Sequence, residues 1–467
     1  MTGLKRRARR PEEEDGGPDG GGPDGGWGWV LVGAMFVSVS LVFGLLRSVG
    51  VFFVAFEQHF GESAQAISWI SSTSLAAQQF FSPLSAALCN AYDTRRVMMA
   101  GGCLAGLGFI LASQAACLAH LYLTIGVVTG FGWSMVFTPM VATVIANFTR
   151  RRSLALGLGF SSIGISSFAF NPLFQLLVQE YAWRGALLIL GGLSFNIVPC
   201  GALIRPKKRS EAPAKADTAS GPPGPASFLR RVSSYMELPL LLHRPYMSFV
   251  LSLCLLNIGY FVPYFHLVPH SRHAGFTEYQ AAFVMSAAGA SDTVGRILSG
   301  WFSDLGVFRL VHIVTAWMAL VGVAIMLLPV SSLSGSYPAL VAVSLFYGFF
   351  AGALNSVVLG LVPQIVGVER TMGALGLLQA IESVTGLLGG PLSGFLKDVT
   401  GDYLVSFVVS GSFLVLAALP LMTLPRYFSC TDPPPPPPRR RSSCGRDEAS
   451  QLELEQMDSS PNVHSLA

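Results

Sequence analysis

An all-α membrane protein is the fold class the sequence predicts, with about twelve transmembrane helices in two halves of about six. Three observations predict it. Mean hydropathy is +0.54, and only 12% of residues are charged, against about 25% in soluble domains. Apolar runs of about 20 residues, enough to cross a hydrocarbon core of about 30 Å, recur from Trp29 to the Pro425 region. Basic residues gather in alternate connectors, the asymmetry that orients membrane helices. Because a bilayer core offers backbone groups no partner, each crossing segment must close its own hydrogen bonds as a helix.

The elements follow in chain order. Residues 1–28 form a tail with Lys5, Arg6, Arg7, Arg9 and Arg10 ahead of an acidic, glycine-rich stretch. No short apolar core with a cleavage site precedes the first span, which is expected to act as its own insertion signal. Trp29–Phe56, Ile67–Ala91, Val97–Ala116, Leu121–Ala146, Leu154–Val178 and Gly185–Ile204 make a first half over residues 29–205. Residues 206–244 are rich in Pro, Gly, Ala and Ser and read as a flexible cytoplasmic linker. A second half, residues 245–425, holds Tyr246–Val268, Tyr279–Ser303, Leu310–Val330, Ala339–Val362, Met372–Leu396 and Leu404–Leu424. Arg95, Arg96, Arg150, Arg151, Arg152, Arg309, Arg370 and Arg426 fall on the linker's side, and Arg184, Arg272 and Lys397 on the other. Both termini are therefore expected in the cytoplasm. Residues 426–467 read as a disordered cytoplasmic tail, in which Pro433–Pro438 followed by Arg439–Arg441 favours polyproline II as a spacer or a docking motif.

Faint repeats relate the halves. Asn171-Pro172-Leu173 is read as closing span five, much as Gly390-Pro391-Leu392 closes span eleven. Acid/base groups mark the connectors after spans two (Asp93, Arg95, Arg96) and eight (Asp304, Arg309). Parallel repeats of this kind suggest the major facilitator architecture, with a substrate site near the midplane between halves. Other classes fit poorly. The net charge of +4 lies in short connectors, a topology signal rather than a nucleic-acid footprint. The 7 cysteines show no C-x-x-C and no zinc spacing, and His266 and His270 lack a third ligand, so no metal or cofactor is expected. Gly157-x-Gly159 follows no strand and reads as helix packing rather than a dinucleotide loop. The spans contain no serine/histidine, paired-aspartate or metal-ligand set for an intramembrane enzyme.

Inside the spans the remaining charges are Arg47, Asp292, Arg296 and Glu382. Each costs about 2.5–3.5 kcal/mol at the bilayer centre on insertion scales, so such residues face a cavity or one another and mark substrate or proton paths. Asp292 and Arg296, four apart, share one helix face and can pair. An anionic substrate would compete for the guanidinium, leaving a costly lone carboxylate that favours taking a proton. The alternative is an intrahelical pair that only fixes packing. Arg47, in the outer half of span one, either attracts anions or snorkels to headgroups. Glu382 either accepts a proton or caps a neighbouring helix.

Asp24-Gly25-Gly26-Trp27-Gly28-Trp29 and Phe148-Thr149-Arg150-Arg151-Arg152-Ser153-Leu154-Ala155-Leu156-Gly157-Leu158 resemble the two signatures of the monocarboxylate transporters. The resemblance extends from about Pro23 to Phe428, with Ser291-Asp292-x-Val294-Gly295-Arg296 and Gly376-Leu377-Leu378-Gln379 to Glu382-Ser383 among the shared wording. It implies the major facilitator fold and movement of lactate, pyruvate or ketone bodies with a proton. It places Asp292 as the proton-handling acid and Arg296 as the carboxylate-binding arginine. Well-studied members have a lysine at the position of Arg47, assigned the first proton and the first contact with substrate. Arginine stays protonated, so Arg47 can bind an anion but cannot cycle a proton. Asn147 replaces a usual tyrosine, and Gly159, Ser161 and Ser162 replace small apolar residues. The family also implies a plasma-membrane location, with the Golgi membrane as a second address, and for some members a single-span immunoglobulin-like chaperone. The expectation is a proton-linked symporter with Arg296 and Arg47 on the substrate and Asp292 and Glu382 on the proton. Its rivals are an uncoupled carrier of another organic anion or zwitterion and a non-transporting sensor or scaffold.

Overall fold

The computed structural model describes residues 24–48, 52–62, 64–205, 238–260, 262–333, 335–400 and 403–430. Arg47 belongs to a described helix, but its side chain lies outside the described residues, as do most of the linker and the proline-rich tail. Met1–Leu424 forms one compact unit. Pro425–Ala467 forms a second, in which only helical backbone to Cys430 is described.

Helices carry every predicted span. Gly26–Ser48 and Phe53–Phe60 occupy span one, and Ala64–Phe80 and Ser82–Ala91 occupy span two, which breaks at Phe81 where Pro83 opens the second piece. A proline is tolerated there because the first turn of a helix has no N–H to lose. Thr94–Ser113 is span three. Span four combines Leu118–Leu121, a wide π-turn segment Tyr122–Thr129 and Gly130–Asn147, with Pro139 inside. Spans five and six run as Arg152–Ser194, bent at Ala182 (φ 54, ψ 173), and continue in Ile197–Ala202. Arg184 pins that bend by donating from Nη2 to the Ala115 carbonyl, 3.1 Å away. Arg244–Tyr260 and Val262–His273 make span seven, Glu278–Asp304 span eight and Leu310–Leu333 span nine. Span ten is Tyr337–Val358 continued by Val362–Val366, span eleven is Thr371–Thr400 and span twelve is Tyr403–Cys430.

One sequence reading is corrected here. Asn171-Pro172 does not close span five, and Gly390-Pro391 does not close span eleven, since both prolines sit inside continuous helices. Membrane helices tolerate such prolines because neighbouring helices and local adjustment satisfy the freed carbonyl.

Among the described residues, eight helices are long and apolar enough to cross a membrane by length and composition. Those short of that measure belong to spans two, five, eight and eleven, and they are the ones that meet across the midline, five on eight and two on eleven. A helix that faces another helix rather than lipid can afford serine, glutamine and charge. Leu107, Leu111, Leu188, Leu327, Leu416 and Leu419, by contrast, stand exposed on other spans, as lipid contact requires.

Candidate functional site

Span eight positions the central pair. Its N-terminus is fixed by a capping box in which the Thr277 hydroxyl accepts from the Gln280 N–H and the Gln280 side chain accepts from the Thr277 N–H. Its middle is held by backbone contact on two sides. A Cβ on Gly157 of span five would strike the Arg296 carbonyl, and one on Gly352 of span ten would strike the Asp292 carbonyl. Between these walls Arg296 donates from Nε to Asp292 Oδ2 at 2.8 Å and from Nη2 to Oδ1 at 3.2 Å. Asp292 is 4% exposed and Arg296 3%. A guanidinium has five N–H donors, of which Asp292 takes two through Nε and Nη2.

Spans seven and ten supply the surroundings of the pair. Tyr260 and Tyr264 lie beside Arg296, and Tyr260 and Tyr347 lie beside Asp292. Asn355 donates from Nδ2 to Tyr260 Oη at 2.5 Å. The Tyr260 and Tyr264 hydroxyls are 3.3 Å apart, and Tyr347 Oη donates to the Tyr260 carbonyl at 3.4 Å. Sequence reasoning from charge passed over these residues because they are neutral. Their signal was the spacing of Asn257 and Tyr260, one turn apart on the helix Arg244–Tyr260, with Tyr264 four residues further on.

Glu382 does not join the pair. It is half-buried on span eleven, which packs against span seven, with Asn257, Tyr246 and Cys254 of that span alongside. His270, further along span seven, is buried against Phe407 and shares a 2.7 Å hydrogen bond between Nε2 and Ser332 Oγ.

A second constellation lies at the arginine-rich end. Asp24 accepts from the backbone N–H of Thr149, Arg150 and Arg151 at 3.1, 3.0 and 3.3 Å and from the Thr149 hydroxyl at 2.8 Å. Trp29 meets Phe148 edge-on at 5.2 Å. The two signature segments are therefore parts of one clasp between spans one and five. Arg152 Nε donates to the Ile145 and Phe148 carbonyls at 3.1 and 3.0 Å, where a basic group complements the end of span four. From the other half, Asp304 accepts from the backbone N–H of Ser153 at 3.0 Å and of Leu154 at 2.8 Å. The start of span five thus receives carboxylates from both halves, Asp304 on its first turn and Asp24 on the segment leading into it, at the helix end whose N–H groups favour negative charge. Burial pushes the Asp304 carboxyl above the usual range despite these bonds. At Asp24 burial also pushes upward, but the donors from Arg150, Arg151 and Thr149 outweigh it and hold the carboxyl below the usual range.

A bundle of membrane-crossing helices in which spans five and eight, and two and eleven, pack across the midline is the architecture of a membrane carrier. The Major Facilitator Superfamily model matches residues 35–335 and 309–454. The outward-conformation structure of the major facilitator transporter FucP superposes with a TM-score of 0.63 at 14% identity, covering 84% of this chain and 98% of that one. The proton:xylose symporter XylE gives 0.63 at 12% identity, covering 84% and 94%. At these identities the likeness concerns the fold, a twelve-helix bundle. Sequence relatives are nearer. Monocarboxylate transporter 13 of Rattus norvegicus is 48% identical over 87% of this chain and 91% of its own, and that of Bos taurus is 46% identical over 88% and 92%. Monocarboxylate transporter 11 of Homo sapiens is 40% identical over 88% and 85%. The chain belongs to the monocarboxylate transporter family of the major facilitator superfamily.

Proposed function

We propose that this transporter carries small monocarboxylates of the lactate, pyruvate or ketone-body class together with one proton, by alternating access at the plasma membrane with both termini cytoplasmic. The observation that carries the proposal is the buried, two-point Asp292–Arg296 pair. An incoming carboxylate forks onto the guanidinium as Asp292 did. Asp292, stripped of its partner, would be an uncompensated buried anion, a state that costs about 3–5 kcal/mol when such a pair is broken. Taking up a proton removes that cost. The loaded site then holds a substrate anion, a guanidinium and a neutral acid, with the same net charge as the unloaded pair, so the loaded and unloaded carriers cross with equal electrostatic penalty. Arg47 serves as a second anion-binding cation nearer the outer mouth, and Glu382 as a second acid.

Arg47 also favours a second reading, uncoupled facilitation of an organic anion or zwitterion, because an arginine cannot release the proton that lysine handles in well-studied relatives. Uptake of labelled lactate or pyruvate at outside pH 6 and 7.5, with cytosolic pH recorded, separates the two. Symport gives faster uptake at pH 6 and acidification that tracks substrate. Uptake without either response sinks the coupling.

A further inference from the structure

Span eight has two faces. Asp292, Gly295, Arg296 and Ser299 are buried against spans five and ten, whereas Val294, Leu298, Trp301 and Leu305 each stand about half exposed. The second set recurs about once per turn and so forms one stripe along the helix. The stripe leads to a cavity of about 460 Å³ at the arginine-rich end, where Arg150, Arg151 and Leu154 of the first half face Trp301, Asp304 and Leu305 of the second. That volume lies within the range of small-molecule sites.

The charges around the cavity are not equally engaged. Asp304 accepts from the Ser153 and Leu154 N–H groups at 3.0 and 2.8 Å, and Asp24 from those of Thr149, Arg150 and Arg151. Arg152 turns its Nε to the Ile145 and Phe148 carbonyls. Arg150 and Arg151 are exposed, and among the described residues neither guanidinium takes part in a hydrogen bond or ion pair. A guanidinium offers phosphate oxygens a planar fork of N–H donors. A cationic rim, an indole beside it and an apolar stripe running into the bilayer match a phospholipid part by part: phosphate, interfacial ester region and acyl chain. A soluble anion would use the rim and leave the stripe bare.

We propose that this cavity seats the headgroup of an anionic phospholipid, with its phosphate on Arg150 and Arg151 and one acyl chain laid along Val294, Leu298, Trp301 and Leu305. The site stands apart from the symport reading and does not depend on it. The orientation proposed above makes this the cytoplasmic leaflet, where anionic phospholipids gather. The arginines belong to one half and the stripe to the other. The lipid therefore binds best when the halves meet at this end, and it shifts the carrier towards that state.

The test uses the full-length transporter in nanodiscs of phosphatidylcholine alone or mixed roughly four to one with phosphatidylserine, an anionic lipid. Native mass spectrometry reads the lipid retained, and hydrogen exchange at the Ser153 and Leu154 amides reads the closed end. The wild type should retain phosphatidylserine over phosphatidylcholine by on the order of tenfold, with exchange several-fold slower when phosphatidylserine is present. Arg150→Gln combined with Arg151→Gln should lose most of the preference and the slowing, whereas lysine at both positions should keep most of the preference. Neither pair of changes touches the backbone bonds to Asp24, and an unchanged melting temperature checks folding. Arg95→Gln combined with Arg96→Gln removes the same charge at the same end outside the cavity and should change little. Phosphatidylserine brominated on its acyl chain should quench the fluorescence of the wild type more than that of Trp301→Phe. Equal losses in the two glutamine pairs would reduce the effect to diffuse surface attraction and overturn the site. Equal quenching in Trp301→Phe, equal retention of phosphatidylethanolamine, or slowing by inorganic phosphate as strong as by lipid would overturn it as well. Retention without slower exchange would overturn the bridging of the halves.

Discussion

Arg296 is tied to Asp292 by two bonds from one flat group, 2.8 and 3.2 Å long. That geometry is open to arginine and closed to lysine, whose ammonium is a point charge on a flexible stem. Arg296→Lys keeps the charge and loses the fork. Its expected effect is a KM for lactate raised by roughly tenfold to a hundredfold, about 1.4–2.8 kcal/mol of lost recognition, with the amount of protein at the cell surface unchanged. Uptake kinetics normalised to surface biotinylation check this, and a wild-type KM in the lysine variant would show that charge alone suffices. The four intramembrane charges could be found by eye because charge in an apolar run is conspicuous. Tyr260, Tyr264 and Asn355 are less conspicuous. They carry no net charge, and their importance lies in contacts among spans seven, eight and ten, which are separated by tens of residues in the chain.

At the level of the helices, apolar runs marked the segments in order, since lipid imposes its demand on each segment separately, and they are weakest in spans two, five, eight and eleven, which face other helices. Which spans meet is a property of pairs, and there glycine decides. Gly157 and Gly300 bring spans five and eight together backbone to backbone: a Cβ on Gly157 would land on the Arg296 carbonyl, and one on Gly300 on the Ser153 carbonyl. Gly157→Ala is expected to cost about 1–3 kcal/mol through overpacking and to lower the melting temperature of the purified protein in detergent. Gly33 and Gly192 offer a control in the same kind of helix, with nothing within 4 Å of an added Cβ. There the alanine should be neutral or slightly stabilising, because helix propensity then acts unopposed. If Gly157→Ala melted like Gly33→Ala, the close approach of spans five and eight would have no energetic weight. The prolines misled the sequence reading for a related reason. Asn171-Pro172 looks like a terminus by the rules of soluble helices, whereas here the helix continues to the bend at Ala182, where backbone geometry rather than a breaker residue ends span five.

For the molecule as a whole, a carrier with one central site must part its halves at one end while they stay joined at the other, so the bonds across the midline decide which end is shut. At the arginine-rich end that bond is Asp304 on the first turn of span five. Asp24 grips the segment just ahead of that turn from within its own half, and so holds spans one and five together in either state. The two acids respond to pH in opposite senses. Asp24, held below its usual range, strengthens its contact above the pKa of the free side chain and loses that contribution as pH falls through its lowered value. Asp304, raised by burial, binds its proton more readily in the joined state than in water, so by linkage acid favours the joined state. Neutralising Asp304 while keeping an acceptor should therefore leave the end closed, and removing the acceptor should open it. Hydrogen exchange at the amides of Ser153 and Leu154 reads this directly. Exchange there should be slow in the wild type and in Asp304→Asn, and several-fold faster in Asp304→Ala. After correction for intrinsic rates, moving from pH 7 to 5.5 should keep or increase the protection. Faster exchange in acid, or equal exchange in all three proteins, would mean that the carboxylate of Asp304 does not hold the halves together.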